Sequence, residues 1–143
     1  MKSCFLKLIV FFCACSVFFS LNSCDSSSKI NYYSKKENYI SVTGTVVHIK
    51  YNEDSTALYI GFSETTPTLD DLTFKLVEKN LEIAQDAHID DKLKIGDQIT
   101  FITAPKYFGD GYVMPIVAIT INEENLLEFE DGYKNFMSWL KAQ

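Results

Sequence analysis

The segment YISVTGTVVHIKY, residues 39–51, decides the fold of this 143-residue chain. It is dense in the β-branched and aromatic residues that are typical of strands, and Gly44 interrupts it near its middle. Alternation places two apolar sets on opposite faces of the strand: Ile40, Val42 and Val46 on one, and Val47, Ile49 and Tyr51 on the other. We therefore predict a long strand with a glycine bulge, after which the buried face switches.

Further strands are predicted downstream, on the same alternating pattern, at residues 58–62, 72–77, 98–104 and 112–121. A polar turn at residues 52–55 indicates that the first two strands form a hairpin. A loop containing Pro67, residues 63–70, precedes the third strand. Pro115 indicates that the last of these strands is bulged or lies at an edge, because proline cannot donate to a strand ladder.

Two helices are predicted. Asn80 is expected to cap a short helix whose Leu81, Ala84 and His88 fall at helical spacing. A second helix covers residues 131–142, with Asp131 as its expected N-cap. Its apolar stripe consists of Tyr133, Phe136, Met137 and Leu140. We expect this stripe to dock across an open end or face of a barrel formed by the strands. The alternative is a partner-binding or membrane-surface helix, but such helices usually carry more lysines.

The predicted element order is three strands, a short helix and two strands, which is the order of the OB-fold. The glycine-bent first strand and the Lys94-Ile95-Gly96-Asp97 turn before the fourth strand agree with it. From about Tyr32 to Ile121 the chain resembles OB-type modules of exported bacterial proteins. The resemblance implies a mainly β fold: a small five-stranded barrel with a short inter-strand helix and a C-terminal helix packed on it. A small β-sandwich or an SH3-like barrel is the alternative.

The N-terminal region has the pattern of a secretory signal. Lys2 and Lys7 supply the basic start, and residues 8–21 supply an apolar stretch that is short for a transmembrane helix. Leu21-Asn22-Ser23-Cys24 resembles the lipobox of bacterial lipoprotein precursors, which implies cleavage between Ser23 and Cys24 and a lipid on Cys24. Asn22 departs from that pattern, which usually has Ala, Ser, Thr or a small aliphatic residue there. An ordinary signal peptide or an uncleaved anchor is the alternative.

This pattern predicts the domain organisation and the location of the protein. Residues 1–23 are the signal peptide, residues 24–37 are the lipidated Cys24 and a serine-rich flexible tether, and residues 38–143 are the OB-like domain. The C-terminal helix lies within about residues 123–143 of that domain. We expect the protein to be exported and held at the membrane by lipid, facing the cell exterior or the periplasm.

Composition excludes several classes of chemistry. Cys4, Cys13 and Cys15 leave with the signal, so the mature domain has no thiol for a disulfide, a zinc site or a nucleophile. Without Lys2 and Lys7 the chain keeps 11 of its 13 lysines against 19 acidic residues, a formal charge of −8, and it contains no arginine. Nucleic acid is therefore an unlikely partner, because phosphate backbones are bound through Lys and Arg.

No catalytic constellation is recognisable. His48 and His88 are the available imidazole bases, and neither lies in a motif. The pairs Asp70-Asp71 and Asp90-Asp91 do not have the ligand spacing of a calcium loop. A thermonuclease-like barrel would also need arginines on the phosphate. We predict a protein that is not an enzyme and has no metal or cofactor, with a metal-dependent hydrolase as the minor alternative.

The aromatic segment between the last two predicted strands is the candidate ligand surface. It contributes Tyr107, Phe108, Asp110 and Tyr112, with glycines beside the acid. OB-folds bind ligands through this loop, and aromatic rings can stack on a sugar or hold a peptide. The alternative is that these rings pack into the C-terminal helix or the barrel rim.

The resulting functional hypothesis is a membrane-anchored binding or adaptor module with a protein, peptide or glycan partner. Two alternatives stay open. One is an OB-fold protein that binds oligonucleotides or oligosaccharides, and the other is a structural subunit of an envelope complex.

Overall fold

A computed structural model of the protein describes residues 26–69, 72–108 and 112–143. The chain divides into two compact units, Met1–Ser34 and Lys35–Gln143. In the first unit, residues 26–33 form a helix, α1, where the sequence predicts a serine-rich tether. The signal peptide and Cys24 lie outside the described residues, so cleavage, lipidation and the flexibility of the tether stay predictions.

The second unit contains a seven-stranded mixed sheet that is not closed. Its strands are β1 (Ile40–Tyr51), β2 (Ala57–Thr66), β3 (Thr73–Val77), β4 (Gln98–Thr103), β5 (Val113–Pro115), β6 (Ala118–Ile121) and β7 (Glu124–Leu127). They are ordered β5-β3-β2-β1-β4-β6-β7, and only the β3–β5 pairing is parallel. The mainly β fold is thus as predicted, whereas the five-stranded barrel is not confirmed.

The described part of this unit also contains four helical elements. They are a 3₁₀ turn (Lys36–Asn38), α2 (Glu78–Asp86), α3 (Ile89–Lys92) and the C-terminal α4 (Phe129–Lys141). Within the three described ranges, no helix has both the length and the apolar character needed to cross a membrane.

Strand β1 pairs with β2 on one side and with β4 on the other, and its pairing with β2 is irregular at two places. The β2 register slips at Gly44 and again between Val46 and His48. A Cβ at Gly44 would lie 2.9 Å from Thr65 Cγ2, so β2 passes too close for a side chain. At Gly44 the extra residue is in β2, where Glu64 has a φ of 52°, and β1 pairs with β4 without a break. The predicted bulge of β1 at Gly44 is therefore wrong: β1 has its extra residue at Val47, and the buried face switches after Val46. Val47 is consequently 49% exposed.

Three phenylalanines form the centre of the core. Phe62 and Phe101 stack with ring centroids 4.3 Å apart. Phe74 packs edge-on against both, at 5.5 Å from Phe62 and 4.8 Å from Phe101. All three are at most 1% exposed. Because they come from β2, β3 and β4, this cluster joins strands that are far apart in the sequence.

The C-terminal helix α4 docks on the sheet through its predicted stripe, of which Phe136, Met137 and Leu140 are buried. Gly132 is the point of closest approach, since a Cβ there would lie 1.9 Å from the Val117 carbonyl oxygen. The Gly132 carbonyl accepts a hydrogen bond of 3.0 Å from Asn80 Nδ2 on α2. Within the described residues, the buried Asn80 Oδ1 has no hydrogen-bond partner.

The strand predicted at residues 112–121 is divided into β5 and β6 by a break at Ile116 and Val117. The break follows Pro115, as its missing N–H predicts. The Ile116 N–H donates to the Lys75 carbonyl on β3 (2.9 Å), and the Val117 N–H donates to the Ile102 carbonyl on β4 (2.9 Å). Two neighbouring residues therefore bond to two different strands.

Several local predictions were wrong. The predicted loop at residues 63–70 begins later, because β2 continues to Thr66. Asn80 is not a cap; it lies inside α2, which begins after Val77, and its side chain turns inward to α4. His88 lies between α2 and α3 in the left-handed region, with φ of 62°. Helix α4 begins after Glu128 rather than at Asp131, and β7 was not predicted.

Candidate binding face

The outer side of strands β1, β2 and β3 carries polar side chains that face away from the core. Strand register aligns Lys50 with Tyr59 and Tyr59 with Lys75 in one row across the three strands. The neighbouring row is His48, Gly61 and Thr73. Since directly paired residues of antiparallel strands lie on the same face, these six residues form one surface, which we call the Tyr59 face.

Tyr59 is the aromatic centre of this face, with a lysine paired to it on each side. Lys75 Nζ lies 5.2 Å from the Tyr59 ring centroid, within the distance of a cation–π contact. Within the described ranges, neither Lys50 nor Lys75 forms an ion pair. Two lysines beside one ring, without carboxylate partners, concentrate positive charge on a chain that is acidic overall.

Gly61 has no side chain, so the middle of the second row does not project from the sheet. A Cβ at this position would already touch His48 Cβ at 3.2 Å, so a larger side chain would fill the space between the rows. A cavity of about 510 Å³ opens on this face. Its lining residues are His48, Lys50, Tyr51, Asn52, Glu53, Tyr59 and Thr73. The volume is in the range of small-molecule sites in proteins.

The turn between β1 and β2 limits the cavity at one end, and side-chain hydrogen bonds shape that turn. Asn52 Oδ1 accepts from the Ala57 N–H (2.9 Å), and Asn52 Nδ2 donates to Thr56 Oγ1 (2.9 Å). Tyr51, at the same end, donates its hydroxyl to Asp90. Burial and this hydrogen bond raise the pKa of Tyr51 above its ordinary value. These contacts hold the end of the hairpin against α3.

The predicted aromatic segment is divided between the surface and the core. Tyr107 and Tyr112 are 40% and 79% exposed, and their rings meet edge-on at 5.3 Å. Phe108 is buried and packs edge-on against Phe136 (5.3 Å) and Trp139 (5.5 Å) of α4. Asp110 lies outside the described residues. The exposed pair lies at the end of the sheet where β3 and β5 begin, since Val113 pairs with Thr73.

The two histidines lie on different elements. His48 is exposed on the Tyr59 face, and His88 is exposed beside α3 with Nδ1 4.0 Å from Asp91 Oδ2. Residues 26–69, 72–108 and 112–143 contain no group of three or more His, Cys, Asp or Glu side chains placed to hold a metal ion. Asp70 and Asp71 lie outside these ranges.

Comparison with protein-family models, with curated proteins and with solved structures finds no significant match to this chain.

Proposed function

We propose that this protein is a lipid-anchored, extracytoplasmic binding module that has no catalytic activity and that binds an acidic glycan on the Tyr59 face. The observation that carries the proposal is the row Lys50–Tyr59–Lys75 across three strands. An aromatic ring offers a flat apolar surface to a sugar, and the flanking ammonium groups attract its carboxylates.

The anchor part of the proposal depends on the sequence. The basic start, the short apolar stretch and Ser23-Cys24 together favour a cleaved and lipidated N-terminus. Incorporation of a palmitate analogue tests it in cells. We expect the wild-type chain to be labelled and Cys24→Ala to be unlabelled. Label that persists in Cys24→Ala would mean that the lipid is not on this residue.

An OB-like barrel is the fold that we propose for the sheet. It is supported by the bonds of Ile116 to β3 and of Val117 to β4, because one extended segment, residues 113–121, then joins both edges of the strands β3-β2-β1-β4. A further feature in common with OB-folds is a long β1 that pairs with both β2 and β4.

Binding is best measured with the full chain, purified in a maltoside detergent. The probe is an oligogalacturonate, and a neutral oligosaccharide of the same length is its control. Removing the Tyr59 ring with Tyr59→Ala is expected to weaken binding about tenfold, for a ring contribution near 1.4 kcal/mol. Lys50→Ala and Lys75→Ala are each expected to weaken it up to about fivefold.

Lys94→Ala is the matched control, since Lys94 is an exposed lysine in the turn before β4. It removes the same charge from a different surface, so binding should be unchanged. If the double variant Lys50→Ala/Lys75→Ala binds the oligogalacturonate as tightly as Lys94→Ala does, the Tyr59 face is not the site.

Oligonucleotide binding is the second candidate, because a stacking ring with flanking lysines also suits single strands. The lack of arginine and the acidic overall charge argue against it. A single-stranded oligothymidylate that binds more tightly than the oligogalacturonate, with affinity that falls steeply with salt, would favour this candidate. A structural role in an envelope complex predicts instead that crosslinking in cells, with the anchor intact, captures the same protein neighbour in wild type and in Tyr59→Ala.

A further inference from the structure

A second aromatic cluster lies at the opposite end of β1 from the Tyr59 face. Tyr39, directly before β1, packs edge-on against Phe129 (5.7 Å) and Tyr133 (5.5 Å) of α4. Phe129 and Tyr133 lie four residues apart, so they are on the same side of the helix, with ring centroids 5.9 Å apart. We call these three rings, with Glu130, the Tyr39 cage.

Two rings and the carboxylate of the Tyr39 cage already contact a cation, which is the side chain of Lys36. Lys36 Nζ lies 5.1 Å from the Tyr133 ring centroid and 5.8 Å from the Phe129 ring centroid. It also donates to both carboxylate oxygens of Glu130, at 2.6 and 2.8 Å. Aromatic rings around one positive charge are the arrangement by which proteins recognise quaternary ammonium groups.

The lysine is held only weakly. The side chains of Lys36 and Glu130 are 49% and 73% exposed, and exposed ion pairs contribute little to stability. Lys36 belongs to a single 3₁₀ turn, so few backbone bonds fix its position. A primary ammonium is strongly hydrated, whereas a quaternary ammonium presents methyl groups to the rings and gives up less hydration.

We infer that the Tyr39 cage is a binding site for a small soluble quaternary ammonium compound, and that Lys36 occupies it when the ligand is absent. Three acidic residues lie at the start of α4: Glu128 at the N-cap, and Glu130 and Asp131 in the first turn. Their charge exceeds the half positive charge of the helix N-terminus, so the site favours cations. They would repel the phosphate of a choline lipid headgroup, and this favours a soluble ligand over a membrane surface.

The test is a titration of the full chain, in maltoside detergent, with tetramethylammonium, followed by the nuclear magnetic resonance shift of its methyl protons. Ring currents of the cage are expected to move that resonance upfield in a saturable manner. Lys36→Ala is expected to lower the Kd up to about fivefold, because it removes an exposed competitor of at most about 1 kcal/mol. Lys35→Ala, the neighbouring exposed lysine, is the matched control and should leave the Kd unchanged.

Two further variants report on the cage itself. Tyr133→Leu keeps an apolar side chain but removes one ring, and it should raise the Kd about two- to fivefold. Glu130→Gln should raise it by a similar factor. Absence of a saturable shift in Lys36→Ala overturns the inference, as does equal affinity in Tyr133→Leu and wild type. Binding to phosphatidylcholine vesicles without binding of tetramethylammonium would overturn the choice of a soluble ligand.

Discussion

Replacing Gly132 with alanine is expected to destabilise the protein, because α4 approaches the sheet most closely at this residue. The new Cβ would lie 1.9 Å from the Val117 carbonyl oxygen and 2.7 Å from its carbonyl carbon. Non-bonded heavy atoms pack at about 3.5 Å or more, so the helix would have to retreat by roughly 1.5 Å. Both obstructing atoms belong to the backbone, which cannot move aside as a side chain could.

Three effects determine the magnitude. Forcing an extra methyl group into a packed contact costs about 1–3 kcal/mol. Retreat of the helix lengthens the 3.0 Å hydrogen bond from Asn80 Nδ2 to the Gly132 carbonyl, and a buried donor that loses its partner costs about 1–3 kcal/mol. Alanine improves the helix propensity by about 1 kcal/mol. We therefore expect Gly132→Ala to lower the free energy of unfolding by about 2–4 kcal/mol.

Urea denaturation of the full chain in maltoside detergent, followed by circular dichroism and Trp139 fluorescence, measures this change. Ser138→Ala is the matched control, because Ser138 is on the exposed side of α4, and it should change the free energy of unfolding by no more than about 0.5 kcal/mol. A Gly132→Ala variant as stable as Ser138→Ala would refute the close packing of α4 on Val117.

Three other substitutions test the core, one turn and the hairpin end. Phe101→Ala should cost about 3–5 kcal/mol in urea denaturation, because it opens a cavity beside two other rings; a loss below about 1 kcal/mol would contradict the aromatic core. Glu123→Gly should raise stability by about 0.5–1 kcal/mol, since Asn122 and Glu123 both have positive φ, of 51° and 66°; a lower denaturation midpoint would contradict this turn. The raised pKa of Tyr51 means that the unfolded chain loses this proton near pH 10 while the folded chain keeps it. Its contribution is therefore complete below about pH 10 and falls at higher pH, so Tyr51→Phe should flatten the alkaline decline of the denaturation midpoint, and an unchanged decline would show that Tyr51 does not control it.

Strands β1 to β4 were predictable because each has one side on the core and the other on solvent, which the alternation of the sequence records. Strand β7 was not. Its buried pair, Leu126 and Leu127, is consecutive, so no period of two is visible in four residues. The strand forms because the turn at Asn122 and Glu123 brings the chain back alongside β6. Pairing with β6 then gives the backbone N–H and C=O groups of β7 hydrogen-bond partners.

Asn80 and Gly132 show why tertiary contacts were missed. Asn80 near the start of a helical pattern favours a cap, but the chain begins the helix earlier and uses this amide to bond α4. Gly132 has no pattern of its own, and its role depends on the Val117 backbone. Sequence periodicity describes one helix or strand at a time, so it predicts neither the Asn80–Gly132 hydrogen bond nor the Gly132–Val117 contact.

The aromatic segment was selected from its place between the last two predicted strands and from its aromatic residues. The structure places Tyr107 and Tyr112 at the surface and Phe108 against α4, and the ligand-binding role of the segment stays a prediction. The Tyr59 face was missed, because Lys50, Tyr59 and Lys75 are adjacent only through strand register. The sequence did contain one indication of this face. In each of the three strands, polar or aromatic residues alternate with the buried apolar ones, so they lie together on the outer side of the sheet.

The paired bonds of Ile116 and Val117 have a consequence for when the protein can fold. Strands β3 and β4 can bond to this segment only after most of the chain has been synthesised. Strand β1 likewise pairs with β4 only after β4 has been made, because Ile40 pairs with Thr103. Contacts between residues so distant in sequence form slowly, since a long loop must close first. A nascent chain of this topology therefore cannot complete its sheet until its C-terminal third appears, although the β1–β2 hairpin can form earlier.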